Sequence, residues 1–214
     1  MPVKDSFHPG TKKAPRGRGR PRSFDPDEAL RRARAVFLRR GYVGATLDEL
    51  CGAMGINRPS LYAAFGDKEA LYRRVVEEFG EEAGAAMVAA LGGAARLEAA
   101  LLAFYGAALD VYLADARAPG GCLVMTTAVT EALAQPAVKA IVAEVLARID
   151  AALAARLRRA REEGELAAEA DPLRLARLAA AVLHSLAIRA RAGTPRRTLE
   201  RMAADAARLV AGAG

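Results

Sequence analysis

Tryptophan is absent, and 214 residues hold only two cysteines and two histidines. Cys51 and Cys122 cannot build a disulfide framework, which points to a reduced, cytoplasmic protein. His8 and His184 stand alone, and no His/Cys/acid cluster has metal-ligand spacing. No P-loop, nucleophile elbow or phosphate-cradling glycine motif occurs, so no enzyme, cofactor or metal is expected. Although 53% of the residues are hydrophobic, no apolar run reaches the roughly 18–20 residues of a membrane span. The N-terminus is basic but lacks the apolar segment and cleavage site of a secretory signal. Runs of alternating Val, Ile or Thr are missing too, which removes strands from the reading.

Positive charge is plentiful but uneven. Of the net +7, residues 1–24 supply +6: Lys4, Lys12, Lys13, Arg16, Arg18, Arg20 and Arg22 against Asp5 alone. A near-neutral body with a basic arm calls for a polyanion, and nucleic acid fits better than a membrane, since no amphipathic helix adjoins the arm. Residues 1–23 carry almost no apolar content and are expected to be disordered alone. Within them Arg16-Gly17-Arg18-Gly19-Arg20-Pro21-Arg22 resembles an AT-hook core, so Arg18 and Arg20 either enter an A/T-rich minor groove or simply hold phosphates.

From Asp25 onward the pattern is helical. Asp25-Pro26 supplies an N-cap and N1 proline, with Glu28 placed for a capping box, and the first helix stops at Gly41. Thr46 and Glu49 form a second capping box, opening a short helix that ends near Met54 before Gly55. Asn57 caps a third helix and Asp67 a fourth, which runs from Lys68 to about Ala90. Beyond them Leu97, Leu101, Phe104, Tyr105, Ala108 and Tyr112 share a face before the breaker at Pro119-Gly120-Gly121. A stripe from Val138 to Leu157 follows and ends near Gly164. Asp171-Pro172 and Thr194-Pro195 are read as caps of the last two helices, with Leu175, Leu178, Val182 and Leu186 on one side of the first. Such an antiparallel hairpin either packs within the monomer or pairs with its copy as a four-helix bundle.

Residues 46–65, TLDELCGAMGINRPSLYAAF, read as helix, turn at Gly55, and second helix. Leu47, Leu50, Ile56 and Leu61 are spaced to pack inward, leaving Arg58, Pro59, Ser60 and Tyr62 outward. Free N–H groups at a helix start suit phosphates and base edges, and Arg58 can donate two bonds to guanine.

The run from Phe24 to Phe79 resembles the DNA-binding domain of TetR-family regulators. The matching pieces are Phe37-Leu38-Arg39-Arg40-Gly41-Tyr42, Thr46, Gly55-Ile56-Asn57, Leu61-Tyr62-Ala63-Ala64-Phe65 and Asp67-Lys68-Glu69-Ala70-Leu71. The resemblance implies an all-α, TetR-like fold of about nine helices: a three-helix DNA-binding domain at 24–80, then a sensing and dimerisation domain at 81–214. It implies phosphate contacts by Thr46 and Lys68, and a recognition surface of Asn57, Arg58, Pro59, Ser60 and Tyr62. Many relatives carry polar or aromatic residues where this chain has Ala63 and Ala64, so specificity would lean on Arg58, Ser60, thymine-methyl contacts and DNA shape. It also implies a homodimer through 172–192 and 195–212, double-stranded operator DNA as partner, and release by a small-molecule or reactive effector. The rival reading is an architectural A/T-rich minor-groove protein acting through the arm alone.

Residues 119–131, PGGCLVMTTAVTE, resemble a segment of N-ethylmaleimide-responsive repressors, in which the matching cysteine senses electrophiles and oxidants. Cys122 follows two glycines at a helix start, where a dipole would lower a thiol's pKa; the other reading is a small core hydrophobe. A small-molecule pocket would draw on Phe104, Tyr105, Tyr112, Met87, Met125 and His184. Cys51 and Phe65 are expected in the core.

Overall fold

A computed structural model describes residues 24–93, 96–114 and 120–212. The basic arm, with Arg18 and Arg20, lies outside the described residues. Every regular element among those described is helical: α1 (Pro26–Gly44), α2 (Leu47–Met54), α3 (Arg58–Phe65), α4 (Lys68–Gly92), α5 (Leu97–Tyr112), a π-helical turn (Val124–Ala128) running into α6 (Val129–Glu131), α7 (Pro136–Glu162), α8 (Pro172–Arg191) and α9 (Arg196–Ala211).

Local chemistry sets most of the starts. The carboxyls of Asp25, Asp67 and Asp171 and the carbonyl of Asn57 each accept a first-turn N–H. Thr46 and Glu49 close a reciprocal capping box. Glu28 does not reach back to Asp25 as expected. Arg31 and Arg32 lie three and four residues on, and both guanidinium groups hold its carboxylate instead. The last helix also departs from expectation. Its N-cap is Pro195, with no side-chain cap bond from Thr194. Helical geometry breaks at Gly41, and α2 ends on Gly55 in the left-handed region (φ 69°, ψ 29°), which turns the chain into α3.

The first three helices enclose Leu30, Ala33, Phe37, Leu50 and Leu61, closed below by Leu71, Tyr72, Val75 and Val76 of α4. Helix α4 continues past them and packs on α5 and α7. It meets α7 at very close range: a Cβ on Gly80 would lie 2.7 Å from Val145 Cγ2, and one on Gly84 would lie 3.3 Å from the Arg148 guanidinium. Arg148 Nη2 donates to the Gly80 carbonyl (2.8 Å) across the crossing.

Helices α8 and α9 pack on α5 and on each other. On α8 the expected stripe runs from the core edge to solvent: Leu186 is buried, and Leu175 and Val182 pack against the core. Ala176, Ala179, Ala180, Leu183, Leu186, Ala187 and Ala190 face the core, whereas Leu178 is 53% exposed and Leu175 and Val182 are half-buried. Small residues let the helices approach closely, so five alanines share the inner face with Leu183 and Leu186, while Leu173, Leu178 and Ile188 are exposed. Ile188 and, on α9, Leu209 (74%) are exposed as well.

Candidate DNA-binding face and sensing segment

Thr46, Asn57–Arg58 and Lys68 all stand at helix starts, of α2, α3 and α4 respectively. Each start presents N–H groups and the positive end of a helix dipole. Asn57 Oδ1 accepts from Ser60 N (2.9 Å), and Thr46 Oγ1 accepts from Glu49 N (3.1 Å). On α3, Leu61 and Phe65 are buried while Arg58, Pro59, Tyr62 and Ala63 are exposed and Ser60 is half-buried. Tyr62 keeps half its surface in solvent. The Lys68 ammonium sits 4.6 Å from the Tyr42 ring centroid, a cation–π contact that fixes its reach. Tyr42 in turn packs on Phe37 and Tyr72.

Arg58 is not loose. Its Nε and Nη2 donate to Asp48 Oδ1 (3.1 and 2.9 Å), and Nη2 also reaches Oδ2 (3.0 Å). Asp48 belongs to the first turn of α2. Sequence reasoning missed both Asp48 and Tyr42, since each partner lies across a turn or in another helix. Phe65 is core, near Phe24 and under the Arg74 guanidinium, and Cys51 is buried with its thiol pKa pushed up by that burial.

The segment expected to sense, residues 119–131, is described from Gly120; at Gly121 (φ +64°) a Cβ would lie 2.8 Å from the Ala187 carbonyl oxygen. Only glycine combines that backbone angle with so close an approach to α8. Cys122 follows, 7% exposed. Its thiol does meet the N–H groups of Met125 and Val124 and the Tyr112 hydroxyl, all of which lower its pKa, yet burial outweighs them and pushes it up to about 11. The expected dipole-lowered thiol is thereby corrected: the helix start is present, but desolvation wins.

The π-helical turn ties this segment to the first domain. Thr126 Oγ1 donates to the Cys122 carbonyl (2.7 Å) and Thr127 Oγ1 to that of Leu123 (2.9 Å). With that proton committed, the Tyr72 hydroxyl donates to Thr127 Oγ1 (2.8 Å), in a fully buried contact between α4 and the turn. Arg191, at the end of α8, donates to the carbonyls of both Leu38 in α1 and Gly120 (3.3 Å to the latter).

Most of the candidate ligand residues are buried. Cys122, Tyr112 and Met125 meet at the segment's start. Phe104 and Tyr105 are fully buried, and the Tyr105 hydroxyl donates to the Ala179 carbonyl (3.0 Å). Met87 is buried in α4. His184 is half-buried; desolvation pulls its pKa down against a smaller upward pull from Asp150. None of them lines the groove of about 490 Å³ between α1, α4 and α5, whose floor includes Leu38, Phe79 and Ala83.

Among the described residues no helix is long and apolar enough to cross a membrane. Residues 29–75 match the family model for bacterial regulatory proteins of the tetR family, and 93–206 match the tetracyclin repressor-like C-terminal domain. The chain is 28% identical to the HTH-type transcriptional repressor ComR of Escherichia coli K12 over 194 residues, 91% of this chain and 92% of ComR. A cysteine mutant of the TetR family regulator CifR, solved with a 26-base-pair operator duplex, superposes with a TM-score of 0.79. It is 35% identical, over 88% of this chain and 98% of CifR. Reduced NemR of E. coli shares the fold at a TM-score of 0.70 and 21% identity, over 84% of this chain and 94% of NemR. With the family's models covering both halves, the chain belongs to the TetR family of transcriptional regulators.

Proposed function

We propose that the protein is a cytoplasmic, dimeric repressor that leaves its operator when the C-terminal half registers a small-molecule signal. The observation that carries this reading is the exposed outer face of α3, with Arg58, Pro59 and Tyr62 around a capped helix start, on a chain of this family. Residues 24–80 would bind DNA, with Thr46, Lys68 and the arm on phosphates and Asn57, Arg58, Ser60 and Tyr62 facing the major groove. Residues 81–214 would sense and dimerise. The large side chains that α8 and α9 turn outward support pairing through a second copy, because exposed apolar surface of this kind marks an interface.

In the dimer the two recognition helices would enter successive major grooves, about 34–36 Å apart. The signal would shift population toward a form with another spacing, by its differential affinity for the two forms. The Tyr72–Thr127 and Arg191 contacts are suited to carry that shift. A second reading, Cys122 as the sensor, is favoured by its place at the start of the same segment and opposed by its raised pKa. An architectural protein working through the arm alone is not favoured, since it needs no large second domain.

Selection of duplexes from a random library by the full chain tests the proposal. Enrichment of a two-fold-symmetric sequence with half-sites one helical turn apart is the expected result. Uniform, steeply salt-dependent retention with no enriched sequence would overturn it.

A further inference from the structure

Resting on that reading, we infer that Asp48 is a specificity-determining positioning residue, which orients the Arg58 guanidinium toward a guanine edge. The pairing geometry is directional. The carboxylate takes the Nε–Nη2 side of the guanidinium, at 2.9–3.1 Å, and among the described residues Nη1 makes no hydrogen bond. A guanine presents two acceptors, O6 and N7, side by side in the major groove, which the remaining fork can meet. The carboxylate is fixed from its own side: Asp48 is in the first turn of α2, whose start is locked by the reciprocal Thr46–Glu49 box. It also gains there from the helix dipole.

Two physical effects then favour base reading over phosphate binding. Arginine pays for ordering a long side chain when it binds, and a partner that orders it beforehand removes part of that cost. A phosphate approaching Arg58 would also meet the Asp48 negative charge, whereas the edge of a guanine carries none. Asp48 therefore raises discrimination while contributing no contact with guanine itself.

The library selection, repeated with Asp48→Ala, Asp48→Asn and Arg58→Ala, tests this. Wild type is expected to enrich a G·C pair at one symmetric position of each half-site, with a preference of roughly tenfold to a hundredfold over other pairs there. Asp48→Ala should cut that preference to within about threefold, leave the other positions as they were, and bind random-sequence duplex no more weakly than wild type. Asp48→Asn, which keeps one acceptor, should fall between, and Arg58→Ala should abolish the preference at the same position. Circular dichroism of each variant checks folding, and the unchanged positions serve as an internal control. An Asp48→Ala selection identical to wild type would overturn the inference. So would tighter binding to all duplexes with the same base preference, which would make Asp48 only a mask on the arginine's charge. If wild type itself selects nothing, the failure lies with the repressor reading.

Discussion

Cys122 should behave as a slow thiol. Burial pushes its pKa up to about 11, so at pH 7.5 about one molecule in three thousand carries the thiolate, against about one in ten for an ordinary cysteine near 8.5. The more basic thiolate is the better nucleophile. With a Brønsted slope of 0.4–0.5, that returns about 10- to 18-fold of the roughly 300-fold deficit. Exchange with a small aromatic disulfide should then run about 15- to 30-fold slower in the native protein than in the unfolded chain. The low exposure of the side chain slows it further. The assay is a pH series from about 6.5 to 10, quenched in acid, with the Cys51 and Cys122 peptides separated by mass. The logarithm of the Cys122 rate should climb about one decade per pH unit without a bend, because the proton must leave before sulfur attacks. A bend near pH 8 or below, or a native rate equal to that in denaturant, would refute the burial argument and return Cys122 to the front as the sensor.

Thr127→Val should destabilise by about 1–3 kcal/mol, since it strands the buried Tyr72 hydroxyl, while Tyr72→Phe should cost only about 0.5–1.5 kcal/mol because Thr127 keeps Leu123. Denaturant unfolding at one protomer concentration should find the double variant less destabilised than the sum; strict additivity would mean the two hydroxyls are not coupled. Leu178→Arg and Leu209→Glu place charge on the outward face of the last two helices. Light scattering should show them as folded monomers, and an unchanged dimer would move the interface elsewhere. His184 resists protonation in the folded state through burial, so the unfolded chain binds the proton first. Its contribution to stability is present above about pH 6.5 and is lost as pH falls through the lower folded value. The gap in unfolding free energy between wild type and His184→Gln should therefore change between pH 7 and pH 5, and a constant gap would remove His184 from the acid response.

Helix starts were legible in the sequence because a cap is a local contract between residues two or three apart. Asp25, Asn57, Asp67, Asp171 and the Thr46–Glu49 pair all work that way. Glu28 misled because two arginines one turn on compete for the same carboxylate. On α8 the shared side of Leu175, Leu178, Val182 and Leu186 did not say which residues are buried: alanine carries little signal of burial, yet a close helix crossing places five alanines inside beside Leu183 and Leu186. What decides the chemistry of Cys122 is the balance between a dipole read from neighbouring residues and desolvation supplied by distant ones, Tyr112 among them. Asp48 was hidden for a related reason. Its ten-residue separation from Arg58 matches no helical spacing, and only the turn at Gly55 brings the two together.

If the proposed signal tilts α4, the close crossing at Gly80 and Gly84 would serve as a fulcrum near its middle. From Lys68 to Gly80 is about 18 Å of helix, and from Gly80 to Leu91 about 16 Å, at 1.5 Å per residue. The arms are nearly equal, so a tilt passes on displacement at about the size it arrives, reversed in direction and without mechanical gain. In the proposed dimer, however, the two levers are related by the two-fold axis, and any displacement along the line joining the recognition helices changes their gap by twice the stroke of either. A signal that moves the far end of α4 by 1.5 Å would thus alter the reading-head spacing by about 3 Å, close to one base-pair step of the duplex. A side chain at Gly80 would meet Val145 at 2.7 Å, so the packing at this pivot would have to shift.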